Sequence, residues 1–403
     1  MFKLNKMRII IFTDTFLPQI NGVVTYILET SKILADRGHK ILIFAPQSKD
    51  SGKINLNIPN IEVVTSPSVE FPSYKEYKIA LPSVMKHFKI AQKFHPDIFH
   101  VQSPFSLGLT GLYIAKRMAK PVVATYHTLL PDFIKYYLPV PILLKGNFLN
   151  DFTWRLSNYF YNRCDLVLTP SGVMRDMLIK HDIRAPVQVL SNGIDLGVFK
   201  PESQDARVLI KDRFGLGKIT LVHSGRMSYE KNIQVLIKAF ALIKKNIRED
   251  VKFLMIGDGP ALGDLKKMAE DLKVNQNMIF TGYMSRKFLL AFLKSSDIFV
   301  TASTMETQGI VVLEAMATRM AVIGADKMAL TELIKDGING YLFKPGSEKM
   351  LAERMFKLIK SDKLRAKMAA NSFDLVKTHS ISLTIAKLEK IYSDLIKKHK
   401  KLK

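Results

Sequence analysis

Short apolar runs alternate with longer amphipathic segments along the first half of the chain. The run Arg8–Thr13 predicts a buried strand, and helical spacing of apolar residues over Val23–Arg37 predicts a helix that ends before Gly38. Further strands are predicted at Lys40–Ala45, Ile61–Thr65, Asp97–Val101, Pro121–Thr125, Asp165–Thr169 and Val187–Leu190. Most of these strands are separated by enough residues for a helix, which is typical of βαβ units in a parallel sheet.

A second series of strands follows a polar, turn-rich segment at Ser191–Leu216. Its predicted strands are Ile219–His223, Val251–Ile256, Met278–Thr281, Asp297–Ala302 and Ala321–Ile323, and its helices lie near Asn232–Lys245, Leu262–Leu272, Arg286–Lys294 and Ile310–Thr318. Two consecutive series predict an α/β protein with two doubly wound domains. We expect these at residues 1–195 and 196–380, with a helix at 381–403 whose end is basic and which packs back on the first domain.

Composition fits a packed intracellular protein. A chain of 403 residues, 47% of them hydrophobic, suits two domains. Cys164 is the only cysteine, so no intramolecular disulfide can form and a cytoplasmic location is expected. The apolar run near the start is too short for a signal peptide, and no segment reaches the roughly 18 apolar residues of a spanning helix.

The charge is unusual, because 60 basic residues face 36 acidic ones and the net charge is +24. Basic residues are in excess in both halves of the chain. Nucleic acid, anionic lipid and a phosphorylated substrate are all compatible partners, and composition does not choose among them. A nucleic-acid-binding protein would need basic strands interleaved with aromatic residues or a recognition helix, and neither is evident.

The most distinctive motif, ETQGIVVLE, runs from Glu306 to Glu314 across a predicted strand-to-helix junction. Gly309 permits a tight turn, and the amides around Gly309 and Ile310 would open a helix and point toward an anion. A carboxylate in the loop can accept hydrogen bonds from two sugar hydroxyls, and one in the helix can do the same for a ribose. Spacing alone leaves open the alternative that both are ordinary helix acids.

A second motif, GRMSYEKN at residues 225–232, follows a predicted strand and opens a helix. Arg226 offers a planar set of donors and Lys231 a mobile positive charge. Together they could hold a diphosphate and stabilise the charge that develops as it leaves. Two surface cations are the alternative, which is weakened because both motifs occupy the same layer of strand ends.

Two further candidates follow strands in the first domain. Gly22, in the loop after the first strand, would permit close approach of the backbone to phosphate at a helix start, although a plain turn is the alternative. His127 directly follows a strand and can hydrogen-bond a substrate hydroxyl, whereas a satisfied core histidine is the alternative. His100 is similarly situated, and we interpret it as structural.

Several catalytic signatures are missing from the sequence. No Asp-x-Asp pair occurs, so the carboxylates that a metal-dependent transferase would use are lacking and no metal site is predicted. The GxGxxG fingerprint of nicotinamide enzymes, the GxSxG elbow of hydrolases and the Walker loop of NTPases are absent as well. Cations and helix dipoles would therefore have to neutralise a diphosphate.

These motifs, in this order, resemble those of the family-four retaining glycosyltransferases of the GT-B fold. The resemblance spans almost the whole chain and includes Gly22, His127, NGID at 192–195, GDGP at 257–260 and the two motifs above. It implies two facing Rossmann-like domains with a nucleotide-sugar donor in the cleft between them. It also implies retention of anomeric configuration, no metal and no cofactor.

The resemblance further implies roles for individual residues. Gly22, Arg226 and Lys231 would bind the donor diphosphate, and His127 and Glu306 the transferred sugar. Glu314 would bind the ribose, and the region of Gly282 and Tyr283 the base. The implied catalytic set is Glu306, His127, Arg226 and Lys231, and the implied donor-binding set is Gly22, Arg226, Lys231, Tyr283, Glu306, Gln308, Gly309, Ile310 and Glu314.

A finer resemblance is to bacterial diacylglycerol α-glucosyltransferases, through FTDTFLPQINGVVTYI, YKIALPS, METQGIVVLEAMA and IGADKMALTELIKDGINGYLF. Two departures are Gln102, where many relatives carry a second histidine, and the turn 318–321. The expected activity is transfer of glucose from UDP-glucose to diacylglycerol by a hexosyltransferase peripheral to the cytoplasmic membrane face. The alternatives are mannosyl or galactosyl transfer to a phospholipid or soluble acceptor, and a nucleotide-sugar 2-epimerase.

Two stretches of the first domain suit a lipid acceptor and an anionic membrane surface. Phe71–Phe94 mixes aromatic residues with lysines, and Leu129–Leu156 is a proline-broken apolar segment. An amphipathic basic surface with aromatic side chains lies in a bilayer interface. The candidate contact residues are Tyr74, Lys75, Lys78 and Trp154. A helix packed on the sheet with a solvated lysine face is the alternative for either stretch.

Overall fold

The computed structural model describes residues 6–19, 21–47, 54–71, 74–127, 129, 147–200 and 203–401, with the backbone alone for 71, 74–77 and 147–149. The chain divides into two compact units. The first consists of Met1–Gly193 and Ile381–Lys403, and the second is Ile194–Ser380. The divisions expected from the sequence, at 195/196 and 380/381, lie close to these.

A parallel sheet forms the centre of the first unit, and an antiparallel hairpin, β4–β5, is inserted between its third and fourth strands. The strands are β1 Arg8–Phe12, β2 Lys40–Pro46, β3 Ile61–Ser66, β4 Ser68–Phe71, β5 Tyr74–Ala80, β6 Ile98–Val101, β7 Val122–Thr125, β8 Leu166–Thr169 and β9 Val187–Val189. The sheet order is β3-β2-β1-β6-β7-β8-β9. The helices that precede the second unit are α1 Gly22–Asp36, α2 Val84–Phe94, α3 Ser106–Arg117, α4 Asn147–Tyr161 and α5 Gly172–Lys180.

The strands of this sheet are apolar on both faces. Ile9, Ile10 and Phe12 of β1 are fully buried, and Ile10 is in register with Leu42 on one side and Phe99 on the other. Parallel strands that carry helices on both faces need such continuous apolar sequences. Polar side chains are therefore concentrated at the strand ends.

The second unit repeats this architecture with strands β10 Ile219–Ser224, β11 Val251–Ile256, β12 Met278–Gly282, β13 Ile298–Thr301, β14 Ala321–Ala325 and β15 Gly340–Phe343. They form a parallel sheet in the order β12-β11-β10-β13-β14-β15, which is a doubly wound order. The helices are α6 Gln204–Phe214, α7 Ile233–Lys244, α8 Leu262–Asp271, α9 Arg286–Ser295, α10 Ile310–Ala317, α11 Leu330–Leu333, α12 Glu348–Ile359 and α13 Asp362–Val376.

The predicted α/β class with two doubly wound domains is confirmed, and every predicted strand is present. The expectation of a turn-rich segment over Ser191–Leu216 is wrong in part, because this segment contains α6. The Oγ of Ser203 caps α6 by accepting a hydrogen bond from the Ala206 amide at 3.2 Å, and Gly215 ends it with φ of +63°. The hairpin β4–β5 and strand β15 were also missed, since none has a long apolar run.

The last helix, α14 Ile381–Lys401, belongs to the first unit. Its Glu389 is buried and accepts hydrogen bonds from Nη1 of the Arg37 guanidinium at 2.5 Å and from His39 Nε2 at 3.0 Å. The Nδ1 of His39 accepts from the Met7 amide at 3.0 Å, so the ring proton must be on Nε2. This polar cluster fixes the helix to the turn that follows α1.

Replacing Glu389 with alanine leaves a buried histidine N–H and an arginine without their acceptor. We expect the free energy of unfolding to fall by about 2–3 kcal/mol, less than for a fully buried pair because Arg37 is partly exposed. Chemical denaturation of the full chain measures the change. The control is Asp394→Ala, which removes an exposed Lys390–Asp394 pair of the same helix and should cost less than about 1 kcal/mol. Equal losses in the two variants would contradict the assignment.

Candidate active site

The strand order of the second sheet reverses between β10 and β13, which pair directly, with Val222 in register with Phe299. Ligands of open parallel sheets bind beyond the carboxyl ends of the strands at such a reversal. The loop after β10 starts at Gly225, and the loop after β13 starts at Ala302. These two loops carry the basic motif and the first half of the acidic motif.

Lys231 and Glu306 meet across this reversal. The Nζ of Lys231 donates to Oε1 of Glu306 at 2.7 Å, although the residues are 75 positions apart. Lys231 ends a single 3₁₀ turn, and the next residue, Asn232, has a positive φ of 53° and donates from Nδ2 to Thr304 Oγ1 at 3.4 Å. Two contacts therefore join the loops that the sequence assigned to diphosphate and to sugar.

Both members of the pair are charged. Burial alone would lower the pKa of Lys231, but the Glu306 carboxylate outweighs it and the pKa is raised. Burial alone would likewise raise the pKa of Glu306, but the Lys231 ammonium outweighs it and the pKa is lowered. The stabilisation from Glu306 is thus present above the pKa of an unfolded glutamate and is lost as the pH falls through the lowered value.

The GDGP motif supports the loop that carries Arg226. The Met227 amide donates to the carbonyl oxygen of Asp258 at 2.9 Å. A Cβ on Gly257 would lie 1.9 Å from the carbonyl oxygen of Gly225, and one on Gly259 would lie 2.4 Å from that of Met227. Only glycine fits at both positions, so this motif packs backbone against backbone and fixes the start of the basic loop.

His223 is the penultimate residue of β10 and was not among the site residues predicted from the sequence. Its Nδ1 donates to the carbonyl oxygen of Val300 at 2.9 Å, and burial lowers its pKa to about 4. The ring is therefore neutral, and the charges of Lys231 and Glu306 are near enough to act on it. A buried histidine inside an apolar strand gives no periodic signal that would separate it from an ordinary core residue.

Helix α10 begins directly after the acidic loop. Gly309 is its N-cap residue, with φ of +79°, and Ile310 is its first residue. The first amides of a helix lack intrahelical acceptors and carry the positive end of its dipole, so they form an anion-binding element. Gln308 is buried beside this start. These three predicted donor-binding residues thus lie together at one helix end.

Glu314 is buried on α10 and is paired with Arg286, the first residue of α9. Nη1 of the Arg286 guanidinium donates to Oε1 of Glu314 at 2.5 Å. Burial raises the pKa of Glu314, and the guanidinium opposes that shift. Arg286 is a residue that sequence reasoning missed, because nothing in the sequence pairs it with a carboxylate 28 positions away. Tyr283, which directly follows the last residue of β12, Gly282, is exposed.

The first unit gathers a second set of side chains at the ends of β6 and β7. His127 Nε2 lies 2.7 Å from Oε1 of Gln102, and the His127 and Tyr26 rings make an edge contact with their centroids 5.2 Å apart. Beneath it, His100 contacts the Tyr392 hydroxyl and Thr125 Oγ1, both at 2.6 Å. His100 is therefore a satisfied core histidine, as interpreted from the sequence, whereas His127 is only half-buried and lies at the strand-end layer.

Gly22 is the first residue of α1, at the helix start that was predicted from the sequence to bind phosphate. The preceding residue, Asn21, caps the helix, and its Oδ1 accepts from the amides of Val23 and Val24, each at 3.0 Å. A phosphate at this helix would meet amides that already have a side-chain acceptor. The geometry thus gives Gly22 a weaker phosphate site than the start of α10.

The predicted membrane residues have different environments. Trp154 is only 7% exposed and stacks on His181 at 3.9 Å and on Tyr126 at 6.5 Å, which corrects its assignment as a side chain at the surface. The side chains of Tyr74 and Lys75, like most of Leu129–Leu156, lie outside the described residues. Lys78 is half-buried on β5. Across the described part of the chain, no helix has the length and apolar character required to cross a bilayer.

Two family descriptions match the chain. Residues 20–198 match Glycosyltransferase Family 4, and residues 209–374 match glycosyl transferases group 1. The chain is 35% identical to the alpha-monoglucosyldiacylglycerol synthase of Streptococcus pneumoniae, over 84% of this chain and 75% of that one. It is 26% identical to the enzyme of the same name from Acholeplasma laidlawii, over 98% of this chain and 99% of that one. It is 28% identical to a GDP-mannose-dependent alpha-mannosyltransferase of Corynebacterium glutamicum, over 97% of this chain and 89% of that one.

Solved structures with low sequence identity share the fold. HepE from Anabaena, solved with UDP and glucose, has a TM-score of 0.77 at 19% identity and covers 96% of this chain and 99% of its own. Sucrose-phosphate synthase from Thermosynechococcus elongatus has a TM-score of 0.79 at 15% identity, and the match covers 97% of this chain and 99% of that one. The fold is therefore that of the GT-B glycosyltransferases. The chain belongs to glycosyltransferase family four and is a sugar-transferring enzyme.

The Arg286–Glu314 pair makes a prediction about titration. In Arg286→Met the guanidinium no longer opposes the effect of burial, so the pKa of Glu314 should rise relative to that of the unmodified enzyme. Carboxyl ¹³C NMR of labelled glutamate measures it, with Glu314→Gln identifying the signal. Lys287→Met is the control, since it removes an exposed charge from the adjacent position. An unchanged Glu314 titration in Arg286→Met would show that the pair has no electrostatic effect.

Proposed function

We propose that the enzyme transfers glucose from UDP-glucose to diacylglycerol and gives an α-glycolipid. The observation that carries the proposal is the 2.7 Å contact of Lys231 with Glu306 at the strand-order reversal, beside the helix start at Gly309. A cation, a sugar-binding carboxylate and an anion-binding helix end are thus adjacent, as a nucleotide sugar requires. Its relatives from Streptococcus pneumoniae and Acholeplasma laidlawii, both named alpha-monoglucosyldiacylglycerol synthases, support the sugar and the acceptor.

In this proposal each side chain binds one part of the donor. Lys231 and Arg226 bind the diphosphate together with the amides of Gly309 and Ile310. Glu306 turns from Lys231 toward sugar hydroxyls, and Glu314 binds the ribose while it keeps its contact with Arg286. The exposed Tyr283 lies where a base can stack. His127, in the first unit, is proposed to bind a sugar hydroxyl.

The chemistry we propose retains configuration and uses neither metal nor cofactor. The bond from the anomeric carbon to the phosphate oxygen breaks, and a bond to the acceptor oxygen forms on the same face. The acceptor proton passes to the departing phosphate, whose charge Lys231 and Arg226 stabilise. Glu306 is engaged by a cation, which suits a carboxylate that binds hydroxyls rather than one that attacks the sugar.

Mannosyl transfer is the second candidate, because the Corynebacterium glutamicum relative is a GDP-mannose-dependent enzyme of similar identity. Residues that bind diphosphate and ribose do not discriminate between the two donors. Discrimination depends on the contacts to the base and to the sugar hydroxyls.

We further propose that the enzyme is a peripheral membrane protein on the cytoplasmic face, docked through the hairpin β4–β5 and α2. Val69 and Ile79 form an exposed cross-strand pair, and Leu81 continues this apolar surface. The first turn of α2 adds Met85, which is 65% exposed. Three exposed lysines follow on the same helix: Lys86, Lys89 and Lys93. Apolar side chains flanked by lysines suit the interface of an anionic bilayer.

Incubation with diacylglycerol vesicles and each nucleotide sugar, followed by mass spectrometry, tests the reaction. We expect hexosyl-diacylglycerol from UDP-glucose, an α-anomeric proton NMR signal in the product, and activity that survives EDTA. A hexosyl lipid from GDP-mannose alone would favour the second candidate, and a sugar epimer formed without acceptor would favour an epimerase. A β-anomeric product, or loss of activity in EDTA that Mg²⁺ or Mn²⁺ restores, would contradict the proposed chemistry.

Alanine at Arg226 or at Lys231 should lower turnover by roughly 10²-fold, because removing one donor to a developing anion costs about 3 kcal/mol. Steady-state kinetics with saturating acceptor measure the loss. Lys238→Ala is the control, since that lysine lies on α7 of the same unit and pairs with Glu348 instead. Near-normal turnover in both test variants would end their assignment to the diphosphate.

Vesicle sedimentation tests the membrane surface. Binding should increase with the anionic lipid fraction and decrease with salt, because surface attraction decays over a Debye length of about 8 Å at physiological ionic strength. Met85→Asp combined with Lys89→Glu should abolish most of the binding and leave activity on detergent-dispersed diacylglycerol unchanged. The matched control, Lys266→Glu, changes an exposed lysine of α8. Equal binding to neutral and anionic vesicles would refute the docking surface.

A further inference from the structure

His223 makes one hydrogen bond where a buried histidine can make two. Its Nδ1 lies 2.9 Å from the carbonyl oxygen of Val300 on the neighbouring strand β13. Its Nε2 has no hydrogen-bond partner among the described residues, although the residue is only 2% exposed. His100, which is also the penultimate residue of its strand, contacts a hydroxyl through each ring nitrogen. His223 is therefore not a satisfied core histidine of that kind.

The contact with Val300 fixes which nitrogen of this ring carries the proton. A backbone carbonyl oxygen can only accept a hydrogen bond, so Nδ1 is the donor. Burial lowers the pKa of His223 to about 4, so the ring is neutral near pH 7 and Nε2 keeps its lone pair. A buried acceptor without a donor is unfavourable, and a bound group that supplies the donor removes that cost.

Nε2 of His223 faces the start of the basic loop. A Cβ placed on Gly225 would have Nε2, at 3.8 Å, as its only described neighbour within 4 Å outside the adjacent residues. Gly225 has φ of +149°, which favours glycine, and it is partly exposed. A ligand atom can therefore approach the backbone of Gly225 closely, and a polar one meets Nε2 there.

The chemistry of Nε2 selects the kind of ligand group that it can bind. Phosphate oxygens are acceptors, so their lone pairs would face the lone pair of the ring. A sugar hydroxyl can donate. The charges of Glu306 and Lys231 act on the same ring, so His223 lies near the carboxylate that is proposed to bind sugar hydroxyls. Nε2 and Glu306 thus provide two acceptors for one sugar.

We propose that His223 is a specificity-determining residue whose Nε2 accepts a hydrogen bond from a hydroxyl of the transferred hexose, next to those that Glu306 binds. While Lys231 and Glu306 are in contact, Nε2 is shielded from solvent, so the hydroxyl reaches it when Glu306 turns away from Lys231. The inference rests on the proposed function for that rearrangement and for the nucleotide sugar. The protein groups involved all belong to the second unit.

Donor analogues that each lack one hexose hydroxyl test this hydrogen bond. The unmodified enzyme should lose roughly 10-fold or more in kcat/KM with the analogue that lacks the bound hydroxyl, because Nε2 is then left without a donor. In His223→Phe, which keeps a ring and removes the acceptor, this one loss should disappear while the losses with the other analogues remain. The control is Thr220→Val, which removes a buried hydroxyl near the other end of β10 and should leave every ratio unchanged.

Long-range ¹H–¹⁵N NMR of histidine tests the geometry, with His223→Phe identifying the signals, or His223→Gln if the first variant does not fold. Nδ1 should be protonated and Nε2 unprotonated in the unmodified enzyme. UDP-glucose added without an acceptor should shift the Nε2 signal to lower frequency, as acceptance of a hydrogen bond requires. UDP alone should leave that signal unchanged.

A proton on Nε2 in the unmodified enzyme would overturn the proposal, and so would an equal shift with UDP alone, which would assign the acceptor to the ribose. Equal losses with every donor in His223→Phe would also overturn it, since a merely structural role lowers all rates together. If GDP-mannose is a donor and UDP-glucose is not, the proposed function fails in its sugar. The same measurements with GDP, GDP-mannose and its deoxy analogues then decide this inference separately.

Discussion

Parallel strands covered by helices on both faces must be apolar along their length, and this constraint decides where chemistry can occur. Strands such as β1 and β10 leave no room for charged side chains except at their ends. Because the strands of each main sheet are parallel, their carboxyl ends lie along the same edge of that sheet. The basic loop after β10 and the acidic loop after β13 consequently meet at the strand-order reversal of the second unit.

Paired charges are the recurring solution at this edge. Glu306 and Glu314 are both buried, and each has a basic side chain in contact. Lys231 outweighs the effect of burial and lowers the pKa of Glu306, whereas burial outweighs Arg286 and the pKa of Glu314 is raised. The pairing is asymmetric, because Lys231 is itself a proposed ligand of the diphosphate whereas Arg286 has no other proposed role. In the proposed donor complex the diphosphate replaces Glu306 as the partner of Lys231, whereas Glu314 keeps its contact with Arg286 and binds the ribose through its second carboxyl oxygen.

The first unit uses neutral hydrogen bonds where the second uses ions. His127, His100 and Tyr26 are all uncharged, and their order is maintained by contacts to Gln102, Thr125 and the Tyr392 hydroxyl of α14. The uncharged side chains around His127 match the sugar hydroxyl proposed for it, just as the basic residues of the second unit match the proposed diphosphate. The last helix therefore contributes directly to the packing beneath His127 as well as to the Glu389 cluster.

Local pattern determined much of this protein. Apolar runs and helical periodicity were sufficient for the strands of the first parallel sheet, for β10–β14 of the second, and for helices α1, α7–α10 and α14, because burial in a parallel sheet selects for them residue by residue. Glu306, Lys231, Gly309 and Glu314 were found because charged residues and glycine at strand ends stand out from an apolar background. Short elements without such runs, such as β4 and β5, were not found.

Tertiary structure alone decided which of these residues touch. Lys231 and Glu306 are 75 positions apart, Arg286 and Glu314 are 28 apart, and Gln102 and His127 are 25 apart. Each contact exists because the strand order brings together segments that follow different strands, and strand order is not encoded in any single segment. The burial of Trp154 was decided in the same way. It stacks on Tyr126, which directly follows β7, and on His181, which directly follows α5. Sequence thus specified the chemical groups, and the order of the strands specified their neighbours.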